Sequence, residues 1–480
     1  MTFAREPKRI LILNRGEIAS RIGKVCRELG HVGVGVWTDN ERNATHLEFC
    51  DEWVYLSGKS NKETYLNTEK IFKVIEEHKI DAVHPGYGFL SENFDFARQC
   101  EDKGIIFIGP SSRCIELMSD KANAKAAAEK AGLPILPGSK GKVATVEEAL
   151  KISDEIGYPV LIKATAGGGG RGLRVCQTPD EFKTNWESAK REAEKSFNDD
   201  SLIIEKYVIN PHHIEIQILS NKSGKTYHFY ERECSIQRKH QKIVEEAPSP
   251  FIGTDEDLRN RMCECAVQLA EHVKYDNIGT VEFILDENKN FYFLEMNTRI
   301  QVEHTVTEEI TGIDLVVCMT QVSLGEEVGI PSQQWITKVG HAIECRICCE
   351  DPITLIPSPG QVTAFETSFP QGTRFDNCLY RDLEITPDFD PMVGKLVTKG
   401  ILRPVAIRKM RTALRGLLIE GIKTNVPLHQ AIMMDETFIE GKYATNYLDK
   451  VAPQKEVQTD FDTERMFIKL AGIEAREAGL

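Results

Sequence analysis

Residues 281–304, VEFILDENKNFYFLEMNTRIQVEH, read as a β-hairpin that sets two carboxylates side by side. The spacing predicts strands over 281–286 and 291–297, joined by the turn-like run 287–290. With that loop Asp286 faces Phe291 and, counting outward, Glu282 faces Glu295. Side chains alternate between faces. Val281, Phe283, Leu285, Tyr292, Leu294 and Met296 then form a core layer, and Glu282, Ile284, Phe293, Glu295 and Asn297 the opposite face. Like charges opposed across a ladder need compensation. A hard divalent cation supplies it, since Mg²⁺ takes one or two carboxylates plus substrate phosphates. Arg299, Gln301, Glu303 and His304 continue the polar run. The stretch predicts the floor of a nucleotide–metal site; on spacing alone, a surface hairpin with both glutamates solvated fits the same residues.

The 480 residues suggest about three domains. A formal net charge of −14 argues against nonspecific binding to nucleic acid or an anionic membrane, and neither is expected as a partner. Thirteen cysteines, an odd number with no framework, point to a reducing, cytoplasmic setting. The N-terminal MTFAREPKRILIL lacks the apolar core of a signal peptide, and no apolar run is long enough for a transmembrane helix. In HAIECRICCE, Ile343, Cys345, Ile347 and Cys349 share one strand face and Glu344, Arg346 and Cys348 the other. Cys345 and Cys348 then point apart, as buried small residues rather than zinc ligands.

Residues 8–110 alternate strand-like segments (KRILILN, HVGVGVW, IDAVH) with helix-like ones (RGEIASRIGKVCREL, TYLNTEKIFKVIEEHK). That pattern predicts a parallel sheet with helices on its faces. The fold class is α/β and Rossmann-like, but Asn14-Arg15-Gly16-Glu17 does not make a dinucleotide fingerprint. GLPILPGSKG, residues 132–141, is a candidate hinge. After 336 the strands HAIECRICCE, QVTAFET and KLVTKGI precede a helix read over 405–421, a mixed α+β unit; a charged tail follows.

YPVLIKATAGGGGRGLRV, residues 158–175, runs from a strand ending at Lys163 through four glycines into another strand. Glycines let backbone N–H groups approach phosphate. No G-K-[ST] follows, so this is a flap rather than a Walker loop, suited to closing over a triphosphate. In ERECSIQRKHQKIVEE, His240 and Lys242 share a strand face that suits a small anion; Arg238 and Lys239 fit an ordinary solvated face equally well. Glu205-Lys206-Tyr207-Val208 ends a strand and suits either an adenine site or a plain linker.

HPGYGFLSEN at 84–93, ATAGGGGRG at 164–172, QRKHQKIVEEAPSP at 237–250, EMNTRIQVEH at 295–304 and ECRI at 344–347 resemble, in order, the signatures of the biotin carboxylase component of biotin-dependent carboxylases, within the ATP-grasp superfamily. The resemblance covers about 8–448. It implies a Rossmann-like N-terminal domain over 1–120, an ATP-grasp domain over 121–335 with a mobile glycine-rich lid at about 138–208, a C-terminal domain over 336–450, and a tail over 451–480. It implies ATP contacts from Lys121, Lys163, Gly167, Gly168, Gly169, Glu205, Lys206, Val208, His213, Gln237, His240 and Ile284. Glu282, Glu295 and Asn297 would bind Mg²⁺ or Mn²⁺; Lys242, Arg299, Gln301 and Val302 would hold bicarbonate; Glu303 would be the base; and Arg346 would face the biotin ureido group. Lys242, Arg299, Glu303 and Arg346 form the implied catalytic set.

The chain departs from the family pattern at Thr165-Ala166, Lys239, Thr305 and Cys348-Cys349. None of these carries an implied catalytic role. No Met-Lys dipeptide is present for biotin attachment and no length remains for a carboxyltransferase. The resemblance therefore implies a component, a homodimer by default, that acts with a biotin carboxyl carrier protein and a carboxyltransferase supplied separately. Acetyl-CoA, another acyl-CoA, pyruvate or another oxo-acid remains open as final acceptor. Two rival readings are another ATP-grasp carboxylate–amine ligase and a non-enzymatic nucleotide-binding regulatory component. The first would not need HPGYGFLSEN or ECRI, and an intact Glu303, Arg346 and Lys242 argue against the second.

Overall fold

The computed structural model describes residues 6–164, 173–197, 199–238 and 241–451. Strands β1 (Arg9–Ile12), β2 (Val32–Trp37), β3 (Glu52–Tyr55), β4 (Ala82–His84) and β5 (Ile106–Phe107) form a parallel sheet in the order β3-β2-β1-β4-β5. Ile10 and Ile12 meet Ile18 and Ile22 of helix α1 (Gly16–Glu28) on one face. Leu11 and Leu13 meet Ile71 and Ile75 of α2 (Thr68–Glu77) and Phe96 of α3 (Phe94–Asp102) on the other. Burial of both faces is why β1 reads as a continuous apolar run. Strands β3 and β5 escaped the sequence reading: β5 is two residues long, and the edge strand β3 exposes Trp53 and Tyr55.

Helices α4 (Ser112–Ser119) and α5 (Lys121–Lys130) lead to a small antiparallel unit. Its strands β6 (Val160–Ala164), β7 (Leu173–Cys176) and β8 (Leu202–Lys206) pair as β7-β6-β8 under α6 (Val146–Ile156) and α7 (Pro179–Phe197). This unit has a core of its own, built around Ile162, Phe182, Trp186 and Ile204.

The site lies on an eight-stranded sheet, β13-β12-β9-β10-β11-β14-β19-β17. From the β13 edge inward, its first five members are β13 (Phe291–Asn297), β12 (Asn277–Leu285), β9 (His212–Ser220), β10 (Thr226–Arg238) and β11 (Gln241–Ala247), backed by α8 (Glu256–His272). Helices α9 (His304–Thr311) and α10 (Leu315–Leu324) follow, then β14 (His341–Cys348), the short β15 (Gly360–Gln361) and β16 (Ala364–Thr367), β17 (Thr373–Asn377), β18 (Glu384–Ile385) and β19 (Met392–Gly400). The helix expected over 405–421 stops early. Helix α11 spans Arg403–Arg415, and Leu417–Glu420 is strand β20, paired with β16. The turn between them needs Gly416, where a Cβ would fall 1.9 Å from the Ser368 carbonyl oxygen. Helix α12 (Val426–Met434) then packs against the same core. Ile343, Cys345, Ile347 and Cys349 enter that apolar core together, as their alternation predicts. The thirteen cysteines are free, and among the described residues no metal-type cluster includes Cys345 or Cys348.

Candidate active site

Strands β12 and β13 pair with Glu282 opposite Glu295, as the hairpin reading has it. The rest of the register differs. Leu285, not Asp286, faces Phe291, and Phe283 faces Phe293. A β-bulge at Leu294 takes up the extra residue, which leaves two residues opposite one and resets the alternation. Phe293 therefore joins the core and Tyr292 lies across from Ile284, the reverse of strict alternation.

On its other side β12 pairs with β9, and Glu282 lies opposite Glu215. Glu215 in turn pairs with Arg232 on β10. One row across four strands thus reads Arg232, Glu215, Glu282, Glu295. Arg232 is fully buried and donates to Glu215 Oε1, to Gln217 Oε1 at 2.7 Å and to Thr307 Oγ1 at 3.0 Å. His213 Nε2 lies 3.1 Å from Glu282 Oε2. Asn297 Nδ2 and Gln301 Nε2 donate to Glu282 Oε1 at 2.9 and 3.1 Å. Burial, then the charge of Glu282, pushes the Glu295 carboxyl up. Burial also opposes ionisation of Glu282, but Lys242 and His213 outweigh it and hold that carboxyl far below the usual range. Two opposed carboxylates and an amide oxygen on Asn297 make a hard donor set that fits Mg²⁺ or Mn²⁺. His213, Glu215 and Glu282 also cluster at ligand spacing, a grouping the hairpin alone did not reveal.

Lys242 is the hub. Its Nζ lies 2.5 Å from Glu215 Oε2, 2.9 Å from Glu282 Oε1 and 2.6 Å from Glu303 Oε1. Glu303, fully buried at the start of α9, is held from its other side by Arg346, whose Nη2 donates to Glu303 Oε2 at 2.9 Å. Burial would raise the Glu303 carboxyl, yet Lys242, Arg346 and Arg232 keep it well below the ordinary range. Arg346 also donates through Nε to Glu245 Oε1 at 2.6 Å.

Beside this hub, Arg299 donates to Gln301 Oε1 at 2.9 Å and Asn297 Oδ1 at 3.0 Å. Glu92, at the end of the HPGYGFLSEN run, fixes it through Nε at 2.8 Å. The Val302 carbonyl accepts from Lys395 Nζ at 2.6 Å, and Lys395 lies 3.2 Å from Glu17.

The nucleotide-type residues divide. Lys163 and Lys125 both bind Glu205, the latter at 3.2 Å. Gln237 Nε2 lies 3.5 Å from His213 Nδ1. Lys121 is exposed at the start of α5, close enough to Glu295 to oppose the rise of its carboxyl. Ile284 and Val208 are half-buried. Lys206 Nζ instead donates to the Gly157 and Tyr158 carbonyls at 2.9 and 3.1 Å. Gly167, Gly168, Gly169 and His240 lie outside the described residues. Glu92, Lys125, Glu215, Arg232, Glu245 and Lys395 were missed from sequence. Glu215 had a signal: in HHIEIQIL the polar residues His213, Glu215 and Gln217 alternate with isoleucines.

Three family models cover nearly the whole chain: biotin carboxylase, N-terminal domain, over 6–115; carbamoyl-phosphate synthase L chain, ATP binding domain, over 120–330; and biotin carboxylase C-terminal domain over 344–450. Biotin carboxylase 2 of Bacillus subtilis is 46% identical, over 92% of this chain and 98% of its own. Biotin carboxylase of Haemophilus influenzae is 46% identical, also over 92% and 98%. The biotin carboxylase domain dimer of Hydrogenobacter thermophilus 2-oxoglutarate carboxylase, solved with MgADP, ADP and bicarbonate, superposes with a TM-score of 0.86 at 46% identity, covering 93% of this chain and 98% of that one. With every domain matched in order and the buried Lys242–Glu303–Arg346 hub in place, the chain belongs to the biotin carboxylase family and carries an ATP-grasp domain at its centre.

Proposed function

We infer that this chain carboxylates N1′ of biotin on a separate carrier protein, using ATP and bicarbonate by way of carboxyphosphate. This is the first half-reaction of a biotin-dependent carboxylase. The observation that carries the residue assignment is the placement of Glu303 between Lys242 and Arg346, one cation on each carboxylate oxygen.

Bicarbonate is a poor electrophile and must first be phosphorylated. Arg299, with Gln301 and the backbone at Val302, positions the anion, and Lys242 turns toward it from Glu303. Losing that contact raises the basicity of Glu303, which takes the bicarbonate proton as a bicarbonate oxygen attacks the γ-phosphorus and ADP departs. Divalent ions held by Glu282, Glu295 and Asn297 neutralise triphosphate charge when bound. Carboxyphosphate then splits into CO₂ and phosphate. Phosphate accepts the N1′ proton, N1′ attacks CO₂, and Arg346 stabilises the enolate-like ureido oxygen. Closure of the lid keeps water from carboxyphosphate.

The division at 120, 335 and 450, with the lid at 138–208, is part of the same reading. So are a homodimer, a cytoplasmic setting, and carrier and carboxyltransferase partners; no described helix is long and apolar enough to cross a membrane. The test is turnover with ATP, bicarbonate and free biotin, following phosphate and carboxybiotin together. Biotin-dependent carboxybiotin formation supports the reading. Phosphate release that answers to an amine acceptor and not to biotin overturns it.

A further inference from the structure

Glu245 and Glu344 lie directly opposite each other across the antiparallel β11–β14 ladder. Both are fully buried. Arg346, two residues beyond Glu344 on the same strand face, donates to Glu245 and also holds Glu303. Among the described residues the other nearby cations are committed: Lys242 to Glu215, Glu282 and Glu303, and Lys395 to Glu17 and the Val302 carbonyl. From α9, Thr305 Oγ1 hydrogen-bonds Glu344 Oε2. Glu245 Oε2 and Glu344 Oε1 are buried with no hydrogen-bond partner among the described residues. Opposed carboxylates sharing one guanidinium out of water cannot both ionise, and a single proton relieves the pair.

We propose that Glu245 and Glu344 are a carboxyl pair that keeps one proton and so sets the effective charge of Arg346, which makes Glu344 a positioning residue for the biotin half of the reaction. This rests on the assignment of Arg346 to the ureido oxygen. Glu245, ionised, orients the guanidinium. Glu344, protonated, leaves Arg346 facing Glu245 and Glu303 rather than three negative charges. The groups around the pair are Arg346, Lys242, Glu303 and Lys395, with Cys234 on β10, Cys345 on β14, Tyr87 and Thr305. Burial and then the charge of Glu245 push the Glu344 carboxyl up to about 8, against Lys395 and Arg346. Burial pushes Glu245 up to about 7, against Arg346. As pH rises through this range the proton leaves, Arg346 is over-neutralised and ureido stabilisation is lost.

The experiment measures carboxybiotin formed per phosphate released, with free biotin, from about pH 6 to about pH 10. The ratio cancels changes in bicarbonate supply. In the native protein it should fall about tenfold by one pH unit above the midpoint. Glu344→Gln, which mimics the protonated acid, should hold the ratio level across the range. Thr305→Val, which removes a hydrogen bond favouring the charged form, should move the fall to higher pH. A level native profile, a Glu344→Gln profile that falls like the native one, or a ratio lost at every pH in that variant overturns the proposal. If Glu344→Gln loses ATP cleavage through misfolding, Thr305→Val decides: an unmoved fall overturns it. Failure of the native protein to carboxylate biotin at any pH would instead defeat the functional reading beneath it.

Discussion

At the residue scale, Glu303 and Arg346 touch each other, yet the proposed mechanism assigns them to different substrates. Glu303→Gln is expected to lower bicarbonate-dependent ATP cleavage by about 10²–10⁴-fold, the worth of a general base. Arg346→Gln is expected to keep part of that cleavage and lose carboxybiotin formation by about 10²–10³-fold, the worth of an oxyanion stabiliser. Phosphate and carboxybiotin assays run in parallel on both variants decide; equal loss of ATP cleavage would make Arg346 a structural partner of Glu303. Glu295→Gln should raise the Mg²⁺ needed for half-maximal turnover by at least about tenfold, and an unchanged requirement in Glu295→Gln and Glu282→Gln alike removes the metal assignment. Glu282 and Glu295 were legible because a hairpin is local, although the loop is one residue longer than the count and the bulge at Leu294 restores their pairing. Arg232 and Glu215 were not, because their place depends on which strands lie beside β12.

At the scale of elements, the proposed lid is bounded by changes of partner. Ile135 still bridges Phe293 on β13, whereas the Pro137 carbonyl accepts from Lys206 and Gly138 bridges Glu205 on β8. The attachment passes from the large sheet to the small unit within Leu136–Pro137, inside the Pro/Gly stretch expected to be a hinge. Tyr207 N still donates to the Pro159 carbonyl, and β9 begins at His212, which puts the return hinge between them. The unit has a core of its own, which the proposed lid needs in order to move as one body. Amide exchange in β6, β7 and β8 is expected to slow when Mg²⁺ and ATP are added; identical exchange with and without nucleotide would mean it is no lid. The bulge at Leu294 escaped the sequence reading because nothing local marks which residue a strand will leave unpaired.

Across the whole molecule, buried neutral histidines tie stability to pH. Burial lowers His84 on β4 to about 3, and His228 on β10 and His429 on α12 to about 4. Their folded values lie below the unfolded one of about 6.5, so the unfolded chain binds more protons as pH drops below it. Stability should be complete above about pH 6.5 and fall as pH drops toward about 4, by up to about 1.4 kcal/mol per pH unit for each linked histidine. Thermal midpoints against pH measure this, and His429→Gln should flatten the slope; an unaltered slope counts against the linkage. By itself the amino-acid sequence determined the strand–helix alternation of the N-terminal sheet, the hairpin that opposes Glu282 to Glu295, and the family, because these rest on periodicity, short-range pairing and ordered motifs. Only the tertiary structure decided the row Arg232–Glu215–Glu282–Glu295, the tether from Glu92 to Arg299 and the opposition of Glu245 to Glu344. Those contacts join residues far apart in the chain. Their partners are set by strand order and register, which follow from burying the cores on both faces of the large sheet and leave no periodic mark on any one segment.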